Sequence, residues 1–145
     1  MKTATAAEIF PADCRTVWNL VTDNRDFGWR SDLAHIEVLD ETHFREISKG
    51  GAETLFTITE KKPFCRYAFR MENRRFTGRW TGFFTALPQG GTRLAVMEEI
   101  QVKNPVMRLL AHLFFHPAKI QRQYLADLRQ KLAQTPSVHC ARHTG

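Results

Sequence analysis

Apolar residues recur at every second position through most of residues 3–102, and at every third or fourth from residue 104 onward. The first period belongs to strands with one buried face, the second to an amphipathic helix. Residues 3–10 (TATAAEIF) alternate and predict a first strand. Residues 11–23 (PADCRTVWNLVTD) put Val17, Trp18 and Val21 on one helical stripe, with Pro11 suited to the first turn. Residues 24–32 (NRDFGWRSD) predict a short helical or looped piece carrying Phe27 and Trp29. Six further strands are expected at 33–40, 43–49, 52–61, 64–73, 77–87 and 92–102. Turn signals separate them at Asp40–Thr42, Gly50–Gly51, Lys62–Pro63, Asn73–Arg75 and Pro88–Gly91. Connections this short make hairpins, so the strands form an antiparallel meander.

Asn104 suits an N-cap and Pro105 a first helical turn. Val106, Leu110, Leu113, Pro117, Ile120, Tyr124 and Leu128 then mark one face of a long helix. Pro117 has no N–H for the carbonyl of Leu113, which predicts a kink or break there. Polar residues follow Leu132, so residues 1–134 are expected to form a single domain and 135–145 a disordered tail. The fold class expected is α+β: a curved antiparallel sheet of about seven strands wrapped around a long C-terminal helix, with two short helices between strands one and two.

Alternation assigns the faces. Phe56 and Ile58 point inward on one strand, and Tyr67, Phe69 and Met71 on the next, together with Cys65. Phe76, Gly78, Trp80, Gly82 and Phe84 share the inner face of the following strand, so two glycines flank Trp80 where missing side chains make room. That room suits either a ligand pocket or the bends of a strongly curved, packed sheet. On the last strand Leu94, Val96, Glu98 and Ile100 share a face. Glu98 is therefore a carboxylate among apolar residues. It reads as a ligand-orienting or acid/base group; the alternative is a bulge that turns it outward, or a salt bridge near the strand end. Glu46 and Tyr67 are the other inward polar candidates.

Charge and composition narrow the classes. The net charge of +6 invites nucleic acid or an anionic surface as partner. Arg66, Arg70, Arg79 and Arg93 fall on the outer face of three strands, but the aromatics, Phe83 apart, lie opposite, so base stacking is not expected. No nucleic-acid partner is expected, and weak attraction to anionic surfaces is the most this patch implies. Cys14, Cys65 and Cys140 show no CxxC or ligand spacing, and the first two read as small buried hydrophobes. His112 and His116 are four apart, but Arg108 and Lys119 share their stripe, which reads as solvated. His139 and His143 lie in the tail. No metal and no cofactor are expected. The N-terminus lacks the apolar core of a signal peptide and no stretch is long enough to cross a bilayer, so a cytoplasmic protein is expected.

The residues IFPADCRTVWNLVTD with Trp29 following, LPQGGTRL in the last hairpin and YLADLRQKL closing the last helix resemble the START-like helix-grip superfamily. The resemblance spans residues 3–133 and is nearest to small bacterial polyketide cyclase/dehydratase-like members. It implies a cavity between sheet and C-terminal helix that binds or carries an apolar or amphipathic small molecule: a lipid, a polyketide-like aromatic or an isoprenoid. The alternative it implies is a cyclase, dehydratase or isomerase using Glu98, Glu46 or Tyr67 as acid/base groups. It also implies that Phe27 and Trp29 approach Leu109, Leu113 and Phe114 at the cavity mouth. A flexing point at Pro117 would make the half-helix before it a lid; the alternative is that these five residues form a static satellite of the core while Pro117 merely bends the helix round the sheet. A monomer or homodimer is expected.

Overall fold

The computed structural model describes residues 1–114 and 116–134, with side chains for all of these except 110–114. Strand β1 (Lys2–Phe10) leads into helix α1 (Cys14–Thr22). Asp13 caps α1, its carboxylate accepting from the Thr16 N–H at 2.8 Å, so the helix starts beyond Pro11 rather than on it. The second short helix expected before β2 is instead a run of turns through residues 24–32, one of them closed by Arg30 N–H donating to the Phe27 carbonyl.

Strands β2 (Leu33–Val38), β3 (His43–Ser48), β4 (Glu53–Lys62), β5 (Arg66–Glu72), β6 (Phe76–Ala86) and β7 (Thr92–Val102) run as the expected meander. The seven-stranded sheet has the order β1-β7-β6-β5-β4-β3-β2, every pair antiparallel. The chain thus crosses from one edge of the sheet to the other between β1 and β2. β5 starts later than expected because Phe64, at φ 62°, spends a left-handed position on the turn. Cys65 is consequently an exposed turn residue and not a buried hydrophobe; Cys14 is half-buried.

Asn104 caps α2 (Pro105–Phe114), accepting from Val106 N–H at 2.8 Å. A separate helix, α3 (Pro117–Gln134), begins at Pro117 itself. Proline costs nothing at the first position of a helix, where its missing N–H would be unpaired anyway. The break therefore replaces a kink. It also turns the apolar stripe: Val106 and Ile120, expected inside, are 67% and 49% exposed. The buried face of α3 includes Pro117 and Leu128 as expected, with Gln121, Leu125 and Leu132 beside them and Ile120 turned out.

Three sets of bonds seat α3. Gln121 Nε2 donates to the Ala4 carbonyl at 2.8 Å, and Arg129 donates to the Ile9 carbonyl at 2.8 Å. Asp127 accepts from Ser31 N–H at 2.9 Å and Ser31 Oγ at 2.7 Å, clasping the 24–32 turns to the helix. Burial opposes the charge on Asp127, but these bonds and one from Gln123 outweigh it and hold the carboxyl below its ordinary range. Phe10, Val17, Leu94 and Leu128 are fully enclosed between sheet and helices.

Candidate functional site

The register of β6 and β7 decides the orientation of Glu98. The strands pair without a bulge, with Trp80 opposite Glu98 and Gly82 opposite Val96. Val96, Ile100 and Trp80 are buried while Met97 is 37% exposed, so Glu98 lies on the inner face and the outward alternative does not hold. On its other side Glu98 is paired with the buried Ala4 of β1. Its carboxyl has no hydrogen-bond or ion-pair partner among the described residues. Burial, reinforced by the charge of Glu46 and opposed by Arg30, pushes it up to about 7.

Glu46 also faces inward, on β3, and meets Arg30 from the turn segment at 2.9 Å. Arg30 holds Asp32 as well, through two hydrogen bonds of 2.9 and 3.3 Å. Burial alone would lower the guanidinium, but Glu46 and Asp32 outweigh it and keep Arg30 charged. Burial pushes the Glu46 carboxyl up while Arg30 pulls the other way. The guanidinium lies 5.3 Å from the centroid of the Tyr124 ring. Tyr124 packs edge-on against Trp29 at 5.5 Å and Trp80 at 6.1 Å. Burial raises its phenol and that of Tyr67, whose hydroxyl lies 3.4 Å from Asn24 Nδ2. One buried cation, two inward carboxyls and two phenols are thus set into an aromatic wall.

The glycines beside Trp80 are used by neighbouring side chains. A Cβ on Gly82 would meet the six-membered ring of Trp80 at 2.8 Å and Leu94 Cδ1 at 3.5 Å. One on Gly78 would meet Ile100 Cδ1 at 2.7 Å and the Glu99 carbonyl at 2.8 Å. The room they leave is taken by Trp80 and Ile100, so these two positions are close packing and not empty volume. Trp80, laid over Gly82, stacks flat on Phe69 at 4.9 Å.

Phe56, Met71, Phe84 and Val96 are buried on the inner face, and Ile58 and Phe69 are half-buried against them. Phe84 lies against Trp18 of α1 at 4.9 Å. Phe27 packs on His35 at 5.4 Å and, like Trp29, is half-buried. Leu109 does not line the interior: it is 70% exposed, because α2 restarts at the Asn104 cap with that residue turned out. The side chains of Leu113, Phe114 and His112 and all of residues 135–145, with their histidines and Cys140, lie outside the described residues. A concavity of about 680 Å³ lies on the opposite, outer face, between Arg70, Arg79, Glu72, Glu99 and Leu55. Its mixed charges distinguish it from the aromatic interior.

Arg30, Tyr124 and Gln121 escape a reading based on period alone. Arg30 sits in an irregular segment, and Gln121 is a polar residue on a buried stripe. Tyr124 falls on the expected face, but nothing in its spacing pairs it with an arginine from the other end of the chain.

No family model matches the chain, and no curated protein matches it. Solved structures do. A START superfamily protein from Mycobacterium smegmatis superposes with a TM-score of 0.76 at 13% identity, over 91% of this chain and 97% of that one. The fold is START-like. A conserved protein from Geobacillus kaustophilus shares this START-like fold with a TM-score of 0.75 at 13% identity, over 92% and 96% of the two chains. The di-domain ARO/CYC BexL from the BE-7585A biosynthetic pathway gives 0.71 at 13% identity, over 94% of this chain and 48% of that one. At such identities the START-like fold is what is shared. No described helix is long and apolar enough to cross a membrane.

Proposed function

We propose that this protein binds or carries an apolar or amphipathic small molecule between the concave face of the sheet and the C-terminal helices. Lipids, polyketide-like aromatics and isoprenoids are the broad candidates. The observation that carries the reading is Glu98, a carboxyl without a partner among the described residues, set opposite Trp80 and flanked on its own strand by the buried Val96 and Ile100. A sequence selected only to pack a core gains nothing from burying a carboxyl there, since an unpaired buried charge costs stability. The START-like fold, shared with an ARO/CYC protein, supports an interior site of this kind. Native mass spectrometry of freshly purified protein tests it. A retained small molecule of discrete mass, lost on denaturation, is expected. A bare chain that also fails to take up hydrophobic probes would overturn the reading.

A second reading is favoured by the same group. A carboxyl pushed up to about 7 is matched to proton transfer near neutrality, which fits a cyclase, dehydratase or isomerase step on the bound molecule. Turnover of the retained molecule, abolished in Glu98→Gln while binding persists, would establish the enzyme; turnover unchanged in that variant would remove Glu98 from the chemistry.

A further inference from the structure

Two polar groups without partners among the described residues are carried by neighbouring elements of the interior, Gln121 on α3 and Glu98 on β7. Gln121 of α3 is 3% exposed, and its Nε2 is committed to the Ala4 carbonyl at 2.8 Å. Its Oε1 is buried with no hydrogen-bond partner among the described residues. Because Nε2 must face a carbonyl, the amide cannot be flipped to relieve Oε1 without putting two acceptors together. The residue Gln121 reaches, Ala4, is the β1 partner of Glu98. The helix therefore brings an unsatisfied acceptor to the same strand pair from which the unpartnered carboxyl of Glu98 projects. Buried acceptors of this kind are rare and expensive to leave unmade.

Both groups ask for the same thing, a donor. Two acceptors linked through one residue, Ala4, and one of them ionisable, fit a head that donates more than one hydrogen bond and carries positive charge. A hydroxyl has a single proton to give, and a carboxylate none. We infer that the ligand of this interior is amphipathic with a primary ammonium head, which donates to Glu98 and Gln121 while its apolar body lies along Trp80 and Phe69. The inference rests on the binding reading above and narrows its ligand class.

The surrounding charges agree with it. The charges that act on Glu98 are those of Glu46 from β3 and Arg30 from the turn segment, while Tyr67 of β5 and Tyr124 of α3 pack edge-on against Trp80, its partner on β6. Lys2 lies two residues before Ala4 on the same face of β1, and Arg108 of α2 is bound to the Val102 carbonyl at the far end of β7. Arg30 is held by Glu46 and Asp32. With that ion pair closed, ionised Glu98 supplies a negative charge that an ammonium would match.

Decylamine, decan-1-ol and decanoic acid share a chain and differ in the head, and their binding to the whole protein can be followed by tryptophan fluorescence and calorimetry. At pH 8 decylamine is expected to bind at least about tenfold tighter than decan-1-ol, the scale of one charge-assisted hydrogen bond. Decanoic acid is expected to bind weakest. The amine preference should shrink at pH 5.5 as Glu98 takes up a proton. It should fall to about twofold or less in Glu98→Gln and be reduced in Gln121→Met, both checked for native near-UV dichroism. Equal binding of the three heads, or preference for the acid, would overturn the ammonium head and leave the binding interior standing. Amine preference unchanged in Glu98→Gln would overturn the assigned contact. Failure of all three probes to bind would overturn this inference and the binding reading together.

Discussion

The indole of Trp80 lies over Gly82, close enough that a methyl group added there would touch the ring at 2.8 Å. Gly82→Ala must therefore push the indole off its stack on Phe69 or toward Tyr124. Overpacking of this kind costs about 1–3 kcal/mol. Urea unfolding should show that loss together with an altered tryptophan emission spectrum. An alanine variant as stable as the parent and with the same spectrum would mean that the ring is not held there.

Arg30 and Glu46 form a largely enclosed pair, their side chains 17% and 13% exposed, so removing one partner strands the other. Arg30→Met should destabilise the fold by about 2–4 kcal/mol at pH 8, short of the cost of breaking a fully buried pair because solvent reaches both side chains. Glu46→Leu added to it should restore most of that loss, because both charges are then gone. A double variant no more stable than the single one would show that Arg30 acts through Asp32 or Tyr124 instead.

The raised carboxyl of Glu98 makes stability depend on pH in a definite direction. Unfolded, it loses its proton near 4.5; folded, near 7. Between those values the folded state holds the proton and the unfolded state does not, so this group's contribution to stability falls as pH rises through that window and is constant above it. The penalty is at most about 3 kcal/mol, less whatever solvent screening reaches a half-buried group. Glu98→Gln should accordingly be more stable than the parent at pH 8, with little difference at pH 4. A variant less stable at pH 8 would indicate that the carboxylate has a partner.

Much of this was readable from the chain, and what was not has physical reasons. Alternation on β6 and β7 placed Trp80 and Glu98 on one face because a strand's side-chain period is 2 and leaves few choices once hairpins fix the register. Residues 24–32 have no period, so nothing there announced that Arg30 would turn inward to Glu46. The C-terminal stripe ran through Ile120 because a single 3.6 repeat was carried across Pro117, where the chain starts a new helix with its own phase. Counting glycines showed missing volume on the inner face, but not that Trp80 and Ile100 lean over to occupy it.

Trp29 is only half-buried, with its ring on Tyr124 and its Nε1 donating to the Asp26 carbonyl at 3.0 Å. Trp29→Ala is expected to change the affinity or release rate of a hydrophobic probe more than it changes stability. The loss in unfolding free energy should stay below the about 3–5 kcal/mol typical of a fully enclosed tryptophan. A loss within that range, with affinity per folded molecule unaltered, would retire the idea of a moving mouth and make Trp29 part of the static core.

The placement of β1 and β2 at opposite edges of the sheet bears on how the molecule assembles. Strands β2 to β7 can zip in sequence, each hairpin closing on the one before. β1 has no neighbour until β7 exists, since its whole register from Lys2 to Phe10 is written on the last strand. Gln121 and Arg129, which reach the carbonyls of Ala4 and Ile9, are likewise idle until then. The two ends of the chain are therefore expected to close the structure together and late, through its most distant contacts in sequence, a step slower than the zipping of the hairpins.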